Sequence, residues 1–294
     1  MTGQYVRLVV ETPRGSGPWQ EVQGQMDRSV VLVTGASRGI GQATAALLAA
    51  QGYQVFGTAT KPSGKDAAGF EMLPLDVTSD ESVAGCVSCV RDRAGRIDVL
   101  INNAGVGLIG AIEETPVEQA RDLFDANLFG TARMVSALLP GMRQHRNGLI
   151  INFGSLAAGL PVPFHGYLSA SKAAVITFSD ALRLEVKYLG IAVTAVEPGM
   201  VATHQGERFT QLKAGRAIRD YAEQEARAVA VMEQGQRAGT SPRAVAQTVL
   251  QIIRTNAPAR YYLVGSGRWY ARLARIMPPS AVESLMARRF RLAK

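Results

Sequence analysis

Residues 34–41 read Thr-Gly-Ala-Ser-Arg-Gly-Ile-Gly, and this stretch decides the fold. It ends a short β-branched run at residues 29–34 and precedes an Ala- and Leu-rich segment at residues 42–51. The order is therefore strand, glycine turn, helix. Glycines let the backbone turn tightly and approach a pyrophosphate, which rests on the positive end of the following helix dipole. The stretch predicts a dinucleotide-binding turn.

Strands and single helices alternate after this turn. The pattern predicts strands at residues 54–58, 99–101, 148–153 and 191–196, and helices near residues 80–93, 116–139 and 169–188. Apolar runs on both faces of strands that are joined by single helices indicate a parallel sheet with helices on each side. The predicted fold class is α/β, with a single parallel sheet that helices cover on both faces.

Composition excludes several classes of protein. The 294 residues are 47% apolar, which excludes a disordered chain. No stretch approaches the roughly 18 apolar residues that span a bilayer, and residues 1–4 lack a basic segment followed by an apolar run, so we expect a cytoplasmic protein. Cys86 and Cys89 have no second Cys or His pair, so no metal site is expected.

The chain divides into three parts. Residues 1–28 are rich in Gly, Pro and Gln and are expected to lie outside the fold, and Met26 is an alternative start. Residues 29–265 form the predicted dinucleotide-binding and catalytic domain. Within it, residues 204–239 are the expected substrate lid, which ends where Thr240-Ser241-Pro242 signals a new helix.

Positive charge is concentrated in the last part, residues 266–294. The net charge is +8, and residues 260–294 carry eight basic side chains against Glu283 alone. The apolar residues interleaved with them are Leu273, Ile276, Met277, Leu285, Met286 and Phe290. This basic amphipathic tail is predicted either to contact a membrane surface or to pack as a helix with one solvated face. No motif for nucleic-acid binding is present.

Further motifs follow the glycine turn in a fixed order. They are Asp76-Val77, Asn102-Asn103-Ala104-Gly105, Asn127, Ser155, Lys172 and Pro198-Gly199 with Thr203. Together with the T-G-x-x-x-G-x-G turn, they resemble the short-chain dehydrogenase/reductase family over residues 29–265. Residues 163–166 and 196–199 resemble the branch of 17β-hydroxysteroid and retinol dehydrogenases.

The resemblance implies a Rossmann-type doubly wound sheet of about seven parallel strands, a nicotinamide cofactor, oxidoreductase activity and a homodimer or homotetramer. Asp76 would hold the adenine, residues 103–105 would line the cofactor cleft, and Pro198 to Thr203 would contact the nicotinamide. The residues expected to bind the cofactor are Gly35, Ser37, Arg38, Gly39, Ile40, Gly41, Lys61, Asp76, Val77, Asn103, Ala104, Gly105, Lys172, Pro198, Gly199 and Thr203.

Charge at the adenosine end predicts which cofactor binds. An acid after the second strand would accept a hydrogen bond from a ribose 2′-hydroxyl and repel a 2′-phosphate. Residues 57–61 contain no acid, whereas Arg38 and Lys61 offer cations that pair with phosphate. The sequence therefore favours NADP(H) over NAD(H).

The catalytic pattern departs from the family at one position. The family places Ser, Tyr and Lys so that Tyr follows Ser by 13 residues and precedes Lys by four. Ser155 and Lys172 keep their overall spacing, and Asn127 precedes Ser155 by the expected 28 residues, but position 168 is leucine. Tyr167 lies five residues from Lys172, about 140° around a helix.

Three interpretations stay open. In the first, Tyr167 supplies the proton because the helix begins late, and in the second His165, Ser155 or a water bound to Lys172 supplies it. In the third, the protein binds cofactor but has lost or changed the reaction, as a cofactor-gated partner or a non-redox enzyme. The family gives Lys172 a second role, binding the nicotinamide ribose, which does not need a tyrosine. Asn127 would hold a water in a proton relay or would satisfy a backbone kink. We expect the catalytic set to be Asn127, Ser155, Tyr167 and Lys172.

The predicted lid indicates the class of substrate. Apolar residues such as Phe209, Tyr221 and Met232 alternate there with arginines such as Arg216 and Arg227. An apolar pocket with a basic rim suits a small-molecule substrate such as a lipid-like, terpenoid, steroid or acyl carbonyl better than a sugar. A lid that packs on its own body or on a second subunit is the alternative.

Overall fold

A computed structural model describes residues 29–62, 69–202, 211–213 and 218–292 of the chain. The expectations for residues 1–28, including the alternative start at Met26, lie outside the described residues. The same holds for Thr203 and for much of the predicted lid before residue 218.

Seven parallel strands form one sheet. They are β1 (Val30–Val33), β2 (Gln54–Ala59), β3 (Glu71–Pro74), β4 (Val99–Asn102), β6 (Gly148–Phe153), β7 (Ile191–Pro198) and β9 (Tyr261–Val264), in the order β3-β2-β1-β4-β6-β7-β9. Two short strands, β5 (Gly107–Ile109) and β8 (Gln211–Lys213), pair separately and in parallel. The predicted α/β class and doubly wound sheet are confirmed.

Helices connect these strands and cover both faces of the sheet. They are α1 (Gly39–Ala50), α2 (Asp80–Ala94), α3 (Val117–Phe124), α4 (Gly130–His145), α5 (Gly166–Val186), α6 (Arg219–Arg237), α7 (Pro242–Ile253), α8 (Arg268–Ala274) and α9 (Pro279–Arg289). The helix predicted near residues 116–139 is interrupted by a π-helical turn at Asp125–Phe129, which separates α3 from α4. No helix in the described part of the chain is long and apolar enough to cross a bilayer.

Successive residues of β1 enter two different cores. Val30 and Leu32 pack on one face of the sheet with residues of α2, α4 and α5, and Val31 and Val33 pack on the other with α1 and α7. All four side chains are buried because side chains alternate across a strand and both faces are covered. This explains the uninterrupted apolar run that the sequence shows there.

The C-terminal residues pack against α6 in a third core. Ala228 and Met232 of α6 are buried against Val282 and Met286 of α9, and Phe290 is only 1% exposed. Helix α6 falls within the predicted lid, so the lid and the tail meet each other. In α9, therefore, the amphipathic pattern of the tail reflects packing against the body of the protein.

An ion pair also joins the tail to the sheet. Arg275, which ends α8, donates from Nη2 to both carboxylate oxygens of Glu197 in β7, at 2.9 and 3.1 Å. Glu197 is 1% exposed, and its burial raises the pKa of the carboxyl group while Arg275 lowers it. The Arg275 guanidinium also lies 4.1 Å from the ring centroid of Tyr261. The pair fixes the end of α8 at the carboxyl edge of the sheet.

Replacing Arg275 with alanine should destabilise the protein by about 1–3 kcal/mol, because it leaves the buried Glu197 carboxylate without its hydrogen-bond partner. The loss of stability should be larger at pH 8 than at pH 5. Without Arg275 the folded-state pKa of Glu197 rises further above its unfolded value, so the folded state loses stability as pH increases. Urea unfolding at both pH values measures the effect.

Arg237→Ala is the matched control, because Arg237 pairs with Glu233 on the surface of α6, where both side chains are more than half exposed. This control substitution should lower the free energy of unfolding by less than about 1 kcal/mol. An Arg275→Ala deficit that is equal at pH 5 and pH 8 would contradict the role given to Glu197.

Candidate active site

A cleft of about 600 Å³ opens at the carboxyl edge of the sheet. Its walls come from the loops that follow β1, β2, β3, β4, β6 and β7, together with the first turns of α5. Ligands of open parallel sheets bind at this edge because the loops after the strands meet there. The cleft holds most of the residues that the sequence assigns to cofactor binding.

The glycine turn forms one end of the cleft, lined by Gly35, Ser37, Arg38, Gly39 and Ile40. Gly35 has φ +66°, a conformation that favours glycine. Gly41 is buried, and a Cβ atom there would lie 2.2 Å from the carbonyl oxygen of Gly35. The turn thus brings the amino end of α1 to the cleft, where backbone amides suit a pyrophosphate.

Asn103 fixes the shape of this turn. Its side-chain Nδ2 donates to the carbonyl oxygens of Thr34 and Gly35, both at 3.0 Å. The Thr34 hydroxyl in turn accepts hydrogen bonds from the backbone amides of Asn103 and Ala104. The loop after β4 and the loop after β1 are therefore locked together, and Ala104 and Gly105 line the cleft beside them.

Among the described residues that line the cleft, Asp76 alone carries a carboxylate, and it lies at the predicted adenosine end. Asp76 and Val77 line the cleft. Asp76 accepts hydrogen bonds from the hydroxyl and the backbone amide of Thr78, which lower the pKa of its carboxyl group. Lys61, in contrast, is exposed and lies outside the cleft wall.

Asn127 lies in the π-helical turn and is 1% exposed. Its Oδ1 accepts from the Val106 amide at 2.8 Å, and its Nδ2 donates to the Val106 carbonyl and to the Ser171 hydroxyl. The side chain ties the loop after β4 to helix α5. These contacts reach a loop 21 residues away and helix α5, and the side chain makes none of them with the backbone of its own turn.

Ser155 and Lys172 both face the cleft. Ser155 follows β6, and its hydroxyl accepts from the Ala157 amide at 3.1 Å. Lys172 donates from Nζ to the Phe153 carbonyl at 3.0 Å, and burial lowers the pKa of its ammonium group to about 8. Pro198 and Gly199, at the end of β7, line the same part of the cleft.

Tyr167 lies away from this group. It lines a separate surface depression with Val117, Ala120, Arg121, Phe124, Asp125 and Phe129, whereas Leu168 lines the cleft. The expectation that the helix begins late is wrong, because α5 starts at Gly166 and gives both residues helical geometry. A four-residue step therefore places Leu168 on the face of Lys172, and a five-residue step turns Tyr167 away.

His165 also lines the cleft, immediately before α5. Its Nε2 is buried without a hydrogen-bond partner among the described residues. Burial lowers the pKa of the imidazole to about 4, so the ring is neutral at pH 7.

The other end of the cleft is apolar, and sequence reasoning missed part of it. Its apolar lining residues are Leu160, Val162, Met200, Met232, Met286 and Phe290. Tyr270 of α8 and Arg289 of α9 line it too, and the Arg289 guanidinium lies 5.3 Å from the Tyr270 ring centroid. The tail thus supplies part of the pocket. The only signal in the sequence was its amphipathic pattern, which does not name a packing partner.

Comparisons with known proteins agree with this arrangement. A sequence model of the family described as short chain dehydrogenase matches residues 29–213. The 3-ketodihydrosphingosine reductase of Bacteroides thetaiotaomicron is 39% identical over 236 residues, which are 80% of this chain and 87% of that protein. Human retinol dehydrogenase 8 is 39% identical over 196 residues, which are 62% of each protein.

A solved structure extends the likeness to the fold. A short chain dehydrogenase from Burkholderia cenocepacia, crystallised in complex with NADP, superposes with a TM-score of 0.70 at 25% identity, over 89% of this chain and 98% of that one. The sequence match, the seven-stranded sheet and the cleft together establish that the chain belongs to the short-chain dehydrogenase/reductase family of oxidoreductases.

Proposed function

We propose that this protein is an NADP(H)-dependent oxidoreductase that interconverts a carbonyl and an alcohol on a small, largely apolar substrate, with Lys172 as the proton donor. The observation that carries the proposal is the continuous cleft, which runs from the glycine turn past Ser155 and Lys172 to an apolar end. A relative whose name specifies a keto substrate supports the reaction class. A structural neighbour that binds NADP supports the cofactor.

The cofactor fits the cleft at three points. The amino end of α1 offers backbone amides for the pyrophosphate, and Arg38 stands beside it for a 2′-phosphate. Thr58 and Ala59 at the end of β2 and Thr60 directly after it line the wall, and none of them is an acid that would repel that phosphate. When bound, the nicotinamide supplies or accepts a hydride.

Side chains of the protein supply the proton and polarise the substrate oxygen. Ser155 is placed to donate a hydrogen bond to a substrate oxygen, which draws electron density toward that oxygen. Lys172, with a pKa of about 8, holds a proton at neutral pH and releases it readily, which is what a general acid requires. Leu168, which lines the cleft where the family has a phenol, offers no hydroxyl that could compete with the ammonium group for this role.

His165 fits this role less well than Lys172. A group with a pKa of about 4 carries no proton at neutral pH that it can give up easily. Its uncharged ring instead offers a hydrogen-bonding edge to a polar group of the substrate.

A redox-silent protein that binds cofactor is the second candidate. One observation favours it: Leu168 occupies the tyrosine position in the cleft, and Tyr167 does not replace it. Cofactor binding would survive, because the glycine turn, Asn103 and Lys172 keep their places.

We further propose a homodimer through α3, the π-helical turn and α5. Val117 and Phe129 are 55% and 53% exposed there, and both border the depression that Tyr167 lines. A second copy would bury these apolar side chains. Tyr167 would then serve the interface and not the reaction.

NADPH should bind about tenfold to hundredfold more tightly than NADH, because a charge-assisted pair between Arg38 and a 2′-phosphate contributes about 1.5–3 kcal/mol. Arg38→Ala should abolish most of this preference. Fluorescence titration of both cofactors at fixed salt measures it. Arg243→Ala is the matched control, since Arg243 is exposed on α7 outside the cleft wall, and it should leave the ratio nearly unchanged.

Leu168→Tyr should raise carbonyl reduction by about 10²–10⁴-fold, because it places a phenol on the face of Lys172 at the family spacing. Tyr167→Phe should change turnover less than about twofold. The assay follows NADPH absorbance with a panel of apolar ketones. A large loss of turnover in Tyr167→Phe would show that the helix rearranges on binding and would refute this assignment.

The same assay separates the two candidate functions. Suppose that Leu168→Tyr reduces some ketones of the panel and the native protein oxidises NADPH with none of them. The redox-silent candidate is then correct. If the native protein turns over, its rate constant for reduction should fall about tenfold per pH unit above pH 8, because the acid must be protonated. A flat profile between pH 6 and pH 10 would exclude Lys172 as the donor.

A further inference from the structure

The first turn after β9 leads into a short helix with an exposed apolar side. Trp269, Leu273 and Ile276 are 53%, 37% and 80% exposed. Their spacing of four and three residues puts them on one side of α8 and of the turn that continues it, where the Ile276 amide donates to the Leu273 carbonyl. On the opposite side, Ala271 is buried. Tyr270 lies between the two sides, where it lines the cleft and its ring stacks on the Trp269 ring with 3.7 Å between the centroids. We name Trp269, Leu273 and Ile276 the α8 apolar face.

Arginines surround the α8 apolar face. Arg268 and Arg272 lie on the same helix, and Arg288 and Arg289 end α9, which reaches α8 through the contact of Arg289 with Tyr270. All four are exposed. Between residues 266 and 292 there are six arginines and one acid, Glu283. Among the residues that the structure describes, neither Arg268 nor Arg272 nor Arg288 forms an ion pair.

Exposing these apolar side chains to water is unfavourable, and a bound partner that covered them would remove this cost. Three large apolar side chains that share one exposed side are unusual for a surface that faces only solvent. The unpaired arginines around them favour a partner with dense negative charge. The partner must therefore be apolar at its centre and anionic around it.

We propose that the α8 apolar face docks on the surface of an anionic lipid bilayer. The indole of Trp269 suits the headgroup layer, and Leu273 and Ile276 would enter the boundary of the acyl chains. Arg268, Arg272 and Arg288 would pair with lipid phosphates. The short helix limits the contact to peripheral and reversible binding.

The position of α8 gives this docking a consequence. Tyr270, Met286 and Arg289 line the apolar end of the cleft from the same two helices that carry the α8 apolar face and its arginines. A docked protein would hold that end of the cleft beside the membrane. Delivery of an apolar substrate from the bilayer rests on the proposed function, but the docking itself does not.

The test uses the full chain with Trp19→Phe, so that Trp269 is the remaining tryptophan of the two. The protein is mixed with vesicles of phosphatidylcholine alone or of phosphatidylcholine with phosphatidylglycerol. Sedimentation measures the bound fraction, and the emission of Trp269 reports its transfer out of water. We expect binding and a blue shift with the anionic vesicles only, and both should weaken as salt shortens the range of the charge attraction.

Two pairs of substitutions separate charge from apolar contact. Arg268→Gln with Arg272→Gln should lower binding about fivefold for each arginine removed. Leu273→Glu with Ile276→Glu should remove the blue shift and most of the binding. Leu184→Glu on α5 is the control, because Leu184 is 77% exposed outside the α8 apolar face, and it should bind like the native chain.

Three results would overturn the proposal. One is equal binding to neutral and anionic vesicles, and another is binding that neither pair of substitutions reduces. The third is no vesicle binding combined with a self-associated species in gel filtration that Leu273→Glu with Ile276→Glu dissociates. That outcome would make the face a contact between copies of the chain. Thermal unfolding of each variant confirms that the substitutions at these exposed positions leave the protein folded.

Discussion

The hydrogen bonds of Asn103 to the glycine turn are the constraint on which the site depends. Parallel strands end at one edge of the sheet, but that alone leaves the loops free to move apart. Asn103 holds the carbonyls of Thr34 and Gly35, and the absence of a side chain at Gly41 lets the turn close onto it. The turn can then present the amino end of α1 to the cleft with little reorganisation when a cofactor arrives.

A second fixed point sets the position of helix α5. Asn127 connects the loop after β4 to Ser171, and Lys172 donates to Phe153 at the end of β6. Two adjacent residues of α5 are therefore anchored to two different strand ends. This leaves little freedom for the helix to rotate, so the leucine at position 168 faces the cleft because of backbone anchors and not because of its own chemistry.

Sequence reasoning could predict the features that depend on local pattern and fixed spacing. Strand alternation at Val30–Val33 and the glycine spacing from Gly35 to Gly41 determine which elements form and where the cofactor cleft opens. The helical period also gave the relation of Leu168 to Lys172 correctly. It could not give the start of α5, because residues 163–165 carry no strong capping side chain, and His165 makes no side-chain cap. It could not give the π-helical turn either, since one extra residue within a helix leaves no clear mark in composition.

The C-terminal segment shows where pattern and structure separate. A basic amphipathic stretch indicates that some apolar side will be covered, but the same pattern suits a membrane, a partner or the body of the protein. Both buried and exposed apolar residues occur within about 25 residues of this segment. Helix α9 buries Val282 and Met286 in a core with α6, whereas Trp269, Leu273 and Ile276, on α8 and the turn after it, stay exposed. Arg275, directly after α8, pairs with the buried Glu197 and anchors the end of this helix to the sheet. With α8 held there, Ala271 is buried, Tyr270 lines the cleft, and the Trp269 ring stacks on Tyr270 while Trp269 stays more than half exposed. The anchor is a tertiary contact with a carboxylate in β7, and no periodicity in residues 266–294 predicts it.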